Sequence, residues 1–376
     1  MSYTNGLDKP SDYFNTVLYT ANNGTLNVTG VGFQPDWVWI KGRSYVVHSN
    51  MYDVVRGVQK DLLSGSTNAE TSSGELTAFN SDGFTVVDSG TDRANYLTNT
   101  HVSWNWKAGT SFTNDASATG IGSIDSTGSF NNDSGFSIVS YTGTGSNGTV
   151  KHGLTSAPKH IIIKRRDSAE QFINYHHTIG NTGGVYLNLT NAAVDNNTWF
   201  NDTSPTSTVF SIGTNGKSNA SSATYIAYCF AEKQGYSKFG SYTGNGNADG
   251  TFVYTGFKPA WLMIKKSSAT EEWYMYDNKR TPFNEIAKGL AANLSGAEFD
   301  TGATIDFLSN GFKNTGTNTG TNASGATYIY MAFAENPFVT STGVCATARW
   351  FVLIQIVIKK LLEEDQMLDL VLLNAL

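Results

Sequence analysis

Few residues in this chain have a type and spacing that could support catalysis. Two acids flanking a cleft would serve a glycosidase, and an adjacent histidine pair, His176-His177, could begin a metal site. The carboxylates considered are Glu70, Asp92, Glu271 and Glu298. None of them has a distinguishing local context, and the histidines lack a third ligand at a recognisable spacing. The chain also has no phosphate-binding glycine motif and no zinc-type cysteine pair. We therefore predict no catalytic residue, no metal site and no cofactor.

Two aromatic pairs and one basic run are candidates for binding a glycan. Trp199-Phe200 lies in an Asn/Asp/Thr-rich segment, and Trp273-Tyr274 is a second aromatic pair. Flat sugar faces stack on such rings, although aromatic residues of a β domain are more often part of its core. The basic run Lys164-Arg165-Arg166 could contact anionic sugars or phosphates. Its alternative role is that of a solvent-exposed hairpin tip.

Three copies of one sequence pattern position these residues. A Pro-containing apolar run ends in Lys in each copy, at Lys41, Lys164 and Lys265. Further landmarks recur in the same order: a Tyr-Thr strand start, a Tyr-Asp or Tyr-His block, a turn followed by Phe, and an aromatic closing strand. These landmarks keep their register to within a few residues, which indicates a tandem repeat of about 100 residues or slightly more.

Each copy is predicted to be an antiparallel β-sandwich or jelly-roll-like domain. The post-proline runs (37–40, 161–163 and 261–264) are apolar at consecutive positions, which is typical of strands buried on both faces. The closing strands carry aromatics at alternating positions, such as Trp104/Trp106 and Tyr228/Phe230. The predicted division is repeat 1 over 1–112, a Gly/Ser/Thr/Asn linker over 113–133, repeat 2 over 134–235 and repeat 3 over 236–337. Short helices are predicted at 54–63 and 284–294.

The last segment, 338–376, departs from this composition. Between Trp350 and Leu376 there is no Gly, Ser, Thr or Pro, and apolar residues fall on a spacing of four and three. This spacing favours an oligomerising helix. An artefactual, out-of-frame extension explains the segment equally well.

Composition narrows the classes of function. Thr, Gly, Ser and Asn make up 153 of the 376 residues, while 12% are aromatic, a combination typical of turn-rich β proteins. A net charge of −6 argues against a broad nucleic-acid-binding surface. The two cysteines, Cys229 and Cys345, do not suggest a disulfide framework, and we expect neither a signal peptide nor a membrane span.

The copies resemble a functionally uncharacterised repeat domain found in tandem in virion proteins of marine tailed bacteriophages. The residues that carry the resemblance are Gly32–Lys41, Tyr52–Gly57, Ser81–Phe84 and Val102–Gly109, with counterparts in copy three and looser ones in copy two. The resemblance implies a virion structural or adhesion protein of the tail-fibre type. The leading hypothesis is that this protein recognises a glycan on the host surface. The resemblance further implies a homotrimer, by analogy with phage fibres, and contact with other virion proteins. A non-binding capsid-decoration or tail-assembly subunit is the first alternative, and a glycan-cleaving tail enzyme is the second.

Overall fold

A computed structural model of the chain describes residue 7 and residues 9–91 and 93–337. It is nearly all β, with antiparallel pairing between its named strands, which confirms the predicted fold class. The predicted helix after Arg349 lies outside the described residues. Three units follow one another along the chain, and we call them unit 1 (9–106), unit 2 (107–230) and unit 3 (231–337).

Unit 1 consists of a five-stranded sheet, ordered β1-β8-β3-β4-β5, and a three-stranded sheet, ordered β2-β7-β6. A short 3-10 helix, Pro10–Asp12, precedes them. The strands are β1 (Phe14–Thr20), β2 (Thr25–Thr29), β3 (Trp37–Gly42), β4 (Asn50–Asp53), β5 (Leu62–Leu63), β6 (Leu76–Asn80), β7 (Gly83–Val87) and β8 (Thr100–Trp106).

Unit 2 begins with additional structure before its first repeated strand. The elements are β9 (Thr110–Asn114), α1 (Ala116–Thr119), β10 (Ser126–Asn131), β11 (Phe136–Thr142), β12 (Gly148–Lys151), β13 (His160–Arg165), β14 (Ile173–His176), β15 (Gly180–Tyr186), β16 (Val194–Asp195), α2 (Asn197–Phe200), β17 (Val209–Ile212), α3 (Gly216–Asn219) and β18 (Thr224–Phe230). The main sheet has the order β16-β15-β14-β13-β18-β11-β10-β9, and β12 pairs with β17 in a second sheet.

Unit 3 forms one continuous sheet that curls over its own core. Its elements are β19 (Ser237–Thr243), β20 (Phe252–Tyr254), β21 (Pro259–Lys266), β22 (Trp273–Asp277), β23 (Ile286–Ala291), β24 (Phe299–Leu308), β25 (Gly311–Asn314), α4 (Thr319–Asn322) and β26 (Thr327–Ala334). The strand order is β19-β26-β21-β22-β23-β24-β25-β20.

The post-proline strand of each unit is buried on both faces, as predicted. In β3, Trp37 and Trp39 point to one side while Val38 and Ile40 point to the other, because side chains alternate along a strand. Val38 and Ile40 belong to the core of unit 1 itself. The two tryptophans belong to a different cluster, which draws on all three units and which we call the central core.

The central core joins the units through their closing and post-proline strands. Its members from these strands include Trp37, Trp39, Trp104 and Trp106 from unit 1, Ile162, Tyr228 and Phe230 from unit 2, and Trp261, Met263, Met331 and Phe333 from unit 3. Trp37 stacks on Tyr228 with ring centroids 4.5 Å apart, and Trp106 meets Trp261 edge-on at 5.6 Å. The three repeats therefore share one hydrophobic core and are not structurally independent domains.

Two sequence predictions differ from this structure. The segment 113–133, predicted as a linker, contains the end of β9, α1 and β10, which pair with one another and with β11 to extend the sheet of unit 2. Its Gly, Ser and Thr content suits exposed edge strands as well as loops. The predicted helices are also wrong: 54–63 consists of turns leading to β5, and 284–294 contains strand β23. Leu62 and Leu290 point into the central core from these strands.

Candidate functional site

The lysines that end the post-proline strands connect the units instead of facing solvent. Lys41, Lys164 and Lys265 are all fully buried. Each donates a hydrogen bond from Nζ to a backbone carbonyl of a neighbouring unit. The acceptors are, respectively, Leu294 (2.8 Å), Thr67 (3.1 Å) and Thr190 (2.7 Å). Burial lowers the pKa of Lys41 to about 7 and those of Lys164 and Lys265 to about 8.

The direction of these contacts reveals the arrangement of the units. Unit 1 reaches unit 3, unit 2 reaches unit 1, and unit 3 reaches unit 2, so the contacts close into a ring. Backbone hydrogen bonds repeat the same cycle at equivalent positions. They run from Glu298 N to Arg43 O, from Glu70 N to Arg166 O, and from Ala193 N to Ser267 O, each 2.8 Å long. The units are thus related by an approximate threefold axis through the central core.

Bidentate ion pairs reinforce two of the three junctions. Arg43 holds Glu298 through Nε and Nη2, and Arg166 holds Glu70 through Nε and Nη2. The third junction has Ser267 and Ala193 at these positions and has no such pair. Burial disfavours the charge of Glu70, but the hydrogen bond from Arg166 and the charge of Arg56 together hold the pKa of Glu70 below its ordinary value.

A second set of buried charges lies beside the central core. Arg56 Nε donates to Asp53 Oδ2 at 2.5 Å, and Arg280 Nε donates to Asp277 Oδ2 at 2.6 Å. Each aspartate also accepts a hydrogen bond from a neighbouring unit. Tyr228 Oη of unit 2 donates to Asp53 of unit 1 (2.8 Å), and Trp104 Nε1 of unit 1 donates to Asp277 of unit 3 (3.1 Å). The Tyr-Asp block of the sequence is therefore a structural contact between units.

Unit 2 replaces this arrangement with histidines. His176 stands opposite His160 in the sheet, as Asp53 stands opposite Trp37 in unit 1. Both histidines are buried against unit 3, where the His160 ring lies 6.2 Å from that of Phe239 and His176 Nε2 is 3.3 Å from the carbonyl oxygen of Tyr330. Burial lowers the pKa of His160 to about 3 and that of His176 well below its usual value, with the neighbouring histidines acting in the same direction.

The aromatic residues predicted to bind glycans are largely enclosed. Trp199 and Phe200 are buried because α2 places them under the sheet of unit 2, where Trp199 packs 4.9 Å from Tyr186. Trp273 is also buried, and its Nε1 donates to the carbonyl oxygen of Tyr186 at 2.8 Å. Tyr274 is half-buried. The structure therefore gives Trp199, Phe200 and Trp273 packing contacts and no solvent-facing ring.

The predicted basic run and the candidate carboxylates are similarly dispersed. Lys164 and Arg166 hold junctions, while the partly exposed Arg165 pairs with Asp167 at 2.8 Å. Glu70 and Glu298 are the acceptors in two junctions, and the Oε1 atom of Glu271 accepts a hydrogen bond from the hydroxyl of Tyr274 at 3.1 Å. Asp92 lies outside the described residues. Glu70, Glu298 and Glu271 lie at three different junctions between units. Glu70 and Glu298 face Arg166 and Arg43, respectively, and the backbone N–H of Glu271 donates to the Thr190 carbonyl.

Two solvent-facing features were not predicted from the sequence. Phe252 and Tyr254 are 45% and 64% exposed on one face of the edge strand β20, where β2 has Asn27 and Thr29. The second feature is a cleft of about 590 Å³ where β10 and β9 extend the sheet beyond β11. We call it the polar cleft, because most of the residues that line it are Thr, Ser, Asn or Asp. Comparing the three copies of the sequence could have revealed both features, because these exposed aromatics occur only in copy three and the insertion occurs only in copy two.

Metal ligands and membrane-spanning helices were sought throughout the described part of the chain. No group of three or more His, Cys, Asp or Glu side chains is arranged there to hold a metal ion. Among the same residues, no helix is long and apolar enough to cross a membrane. Cys229 is a buried free thiol.

Comparison with known proteins identifies the family to which the chain belongs. The model of a domain of unknown function, DUF7483, matches residues 9–337 and so spans all three copies. No curated protein matches the chain. Among solved structures, the major capsid protein P2 from bacteriophage PM2 is similar over 53% of this chain and 98% of its own, at 11% identity and a TM-score of 0.16. A score this low supports no inference about fold or function.

Proposed function

We propose that this chain, which belongs to the DUF7483 family of unknown function, is a structural and adhesion protein of a bacteriophage virion, tail-fibre-like, that recognises a host-surface glycan. The observation that carries the structural part is the closed ring of three units. The recurring charged residues are used to lock the units together through Lys41, Lys164 and Lys265. A particle component needs this kind of rigidity, and the resemblance of the repeats to phage virion domains supports the assignment.

Location on the particle tests the structural part. We expect mass spectrometry to find the chain in purified particles, and gold-labelled antibodies to place it at the surface or the tail in electron micrographs. Detection of the chain only in lysed cells, and never in particles, would refute the proposal. The predicted homotrimer stays a proposal, tested by light scattering of the full chain against the mass of one 40.6 kDa copy.

Binding to cells tests the adhesion part. Purified full-length protein should bind host cells, and it should delay adsorption of the phage when added first. If particles contain the chain but the purified protein binds no cells, the first alternative, a non-binding decoration or assembly subunit, becomes the better description. The use of the recurring residues at junctions between units favours that alternative over the enzyme.

A glycan-cleaving tail enzyme remains distinguishable by its product. Hydrolysis would shorten host polysaccharide and release reducing ends, whereas an adhesin leaves the polymer length unchanged. We propose a non-catalytic protein because Glu70 and Glu298 already serve as ion-pair partners at separate junctions. Release of reducing ends by the purified protein would overturn this part of the proposal.

A further inference from the structure

The polar cleft of unit 2 owes its existence to an insertion that the other units lack. Residues 107–135 separate the closing strand of unit 1 from the first repeated strand of unit 2, whereas only 231–236 separate the corresponding strands of units 2 and 3. The longer segment supplies β9, α1 and β10. These elements extend the sheet beyond β11 and form one wall of the cleft.

The floor of the cleft is a ladder of hydroxyl groups. Thr113, Thr127 and Ser140 stand side by side on β9, β10 and β11, and Thr142 stands beside Thr224 on β18. All five line the cleft. Among the described residues, the hydroxyls of the four threonines have no protein hydrogen-bond partner, so each can both donate to and accept from a ligand.

The wall of the cleft adds two negatively charged hydrogen-bond acceptors, the carboxylates of Asp115 and Asp125. Asp115 and Asp125 line the cleft while they hold the first turn of α1. Asp115 accepts from the Ala118 amide at 3.0 Å, and Asp125 accepts from the Ala116 amide at 2.8 Å. A carboxylate has about four lone-pair positions, so both retain capacity to accept a hydrogen bond from a ligand hydroxyl.

Charge and size together select the ligand class. No Lys or Arg is among the residues that line the cleft, whereas two carboxylates are. The nearby Arg166, whose Nη1 lies 3.5 Å from Ser140 Oγ, is already neutralised by Glu70, so a sulfated or carboxylated ligand would meet repulsion. The volume of about 590 Å³ falls within the range of roughly 300–1,000 Å³ that is usual for ligand clefts. A dense set of neutral hydroxyls is complementary to a ligand that is itself rich in hydroxyls.

We propose, on the basis of the adhesion role proposed above, that this cleft binds a short segment of an uncharged glycan. Each hydrogen bond between a cleft hydroxyl and the ligand replaces one that the hydroxyl would otherwise make to water, so the net free energy gained per contact is small. Each site is therefore expected to bind weakly, and many copies on one particle would supply the avidity needed for attachment. The hydrogen bonds that hold Asp115 lower its pKa, which suits an acceptor and does not suit the general acid of a glycosidase.

Saturation-transfer NMR with full-length protein tests the site. The ligands are chitotriose and laminaritriose as uncharged trisaccharides, with a sulfated trisaccharide as the anionic comparison. Thr142→Trp fills the cleft. Thr20→Trp and Thr243→Trp are matched controls, because these exposed threonines end the equivalent strands β1 and β19 in the other units.

At least one uncharged trisaccharide should bind, and Thr142→Trp should weaken that binding at least about tenfold while both controls retain it. If Thr142→Trp does not fold, as judged by circular dichroism, Thr113→Trp on the exposed edge strand β9 takes its place. The proposal is overturned by the absence of a signal from both uncharged trisaccharides, by tighter binding of the sulfated one, or by equal losses in Thr142→Trp and its controls.

Adsorption to cells separates this proposal from the adhesion role on which it rests. If wild-type protein and Thr142→Trp bind host cells equally, the cleft is not the attachment site although adhesion stands. If trisaccharides bind the cleft but the wild-type protein does not bind cells, adhesion fails and the cleft remains a glycan site.

Discussion

The histidines between units 2 and 3 should make this junction sensitive to acid. His160 is buried in the position that Trp37 occupies in unit 1 and Trp261 in unit 3, each opposite an aromatic residue of the closing strand. Burial lowers the pKa of His160 to about 3, compared with an ordinary value near 6.5. Below pH 6.5 the unfolded chain therefore binds a proton that the folded chain excludes, and stability falls as the pH falls towards 3.

The size of this effect follows from the two pKa values. Between pH 7.5 and pH 4.5, His160 alone removes about 3 kcal/mol from the free energy of unfolding. The buried His176, whose pKa is also lowered, acts in the same direction. Asp36 acts in the opposite direction, because burial raises its pKa to about 6 and the folded state then gains a proton first. The total pH dependence therefore mixes opposing contributions, and a comparison with a variant is needed to isolate one residue.

His160→Phe removes the titrating group and keeps an aromatic ring next to Phe239. Urea unfolding, followed by the fluorescence of the central-core tryptophans, should show a loss of stability between pH 7.5 and 4.5 that is about 3 kcal/mol smaller in the variant than in the wild type. The contribution of Asp36 is present in both proteins and cancels. Ile162→Val, on the same strand, is the control, since it should cost about 0.5–1.5 kcal/mol equally at both pH values. If His160→Phe and the wild type lose stability in parallel to within about 0.5 kcal/mol, the burial of a neutral His160 is refuted.

Three further perturbations test the junctions and the unit cores. Glu70→Gln should cost about 1.5–3 kcal/mol in urea unfolding, because it removes the bidentate partner of Arg166 and one of the two carboxylates that the buried Arg56 contacts, the other being Asp53. Glu232→Gln, which removes the partly exposed ion pair with Lys238, should cost at most about 1 kcal/mol. Equal costs for the two variants would contradict the structural role of Glu70. Gly83→Ala should cost about 2–3 kcal/mol of thermal stability, because its φ is +146° and an added Cβ would lie 2.0 Å from the Val28 carbonyl oxygen; an unchanged melting temperature would refute the close approach. In a Cys345→Ser variant, Cys229 should resist a thiol reagent at pH 8 until urea unfolds the protein, because burial raises its pKa, and rapid labelling of the native protein would show that the thiol is accessible.

The sequence predicts best those features that depend on local patterns. Consecutive apolar residues at 37–40 predict a strand buried on both faces, and the structure confirms it because two separate cores lie on its two sides. Alternating aromatics likewise predict that Trp104 and Trp106 share a buried face. Turn residues and β-forming residues together predict an all-β chain. All of these signals are contained within a few neighbouring residues.

Features that depend on contacts between copies could not be predicted in this way. A Lys at the end of an apolar strand predicts a solvent-exposed hairpin end. Lys164 is instead buried at a junction, where its Nζ donates to the carbonyl of Thr67, a residue 97 positions away in the chain. The predicted helix at 284–294 fails for the same reason, because Leu290 is held in a strand by the central core. Trp199 stands in a polar segment, yet α2 turns it inward. What the sequence does contain is recurrence: a charged residue that returns at one register position in all three copies indicates a structural contact.

Departures from the repeat are therefore the most informative positions, and they concentrate in unit 2. Its junction with unit 3 lacks the bidentate pair and contains His160 and His176 in place of Trp and Asp. The same unit carries the insertion that forms the polar cleft. Units 1 and 3 retain the Asp53–Arg56 and Asp277–Arg280 pairs, so the ring keeps two junctions stabilised by charge while the third has changed. Because the three units are parts of one chain, a substitution can change one unit alone. In a trimer of identical single-unit chains, every substitution would occur three times. If unit 2 is the functional unit, variants at the cleft should change binding without changing stability, and variants at the ion pairs of units 1 and 3 should do the reverse.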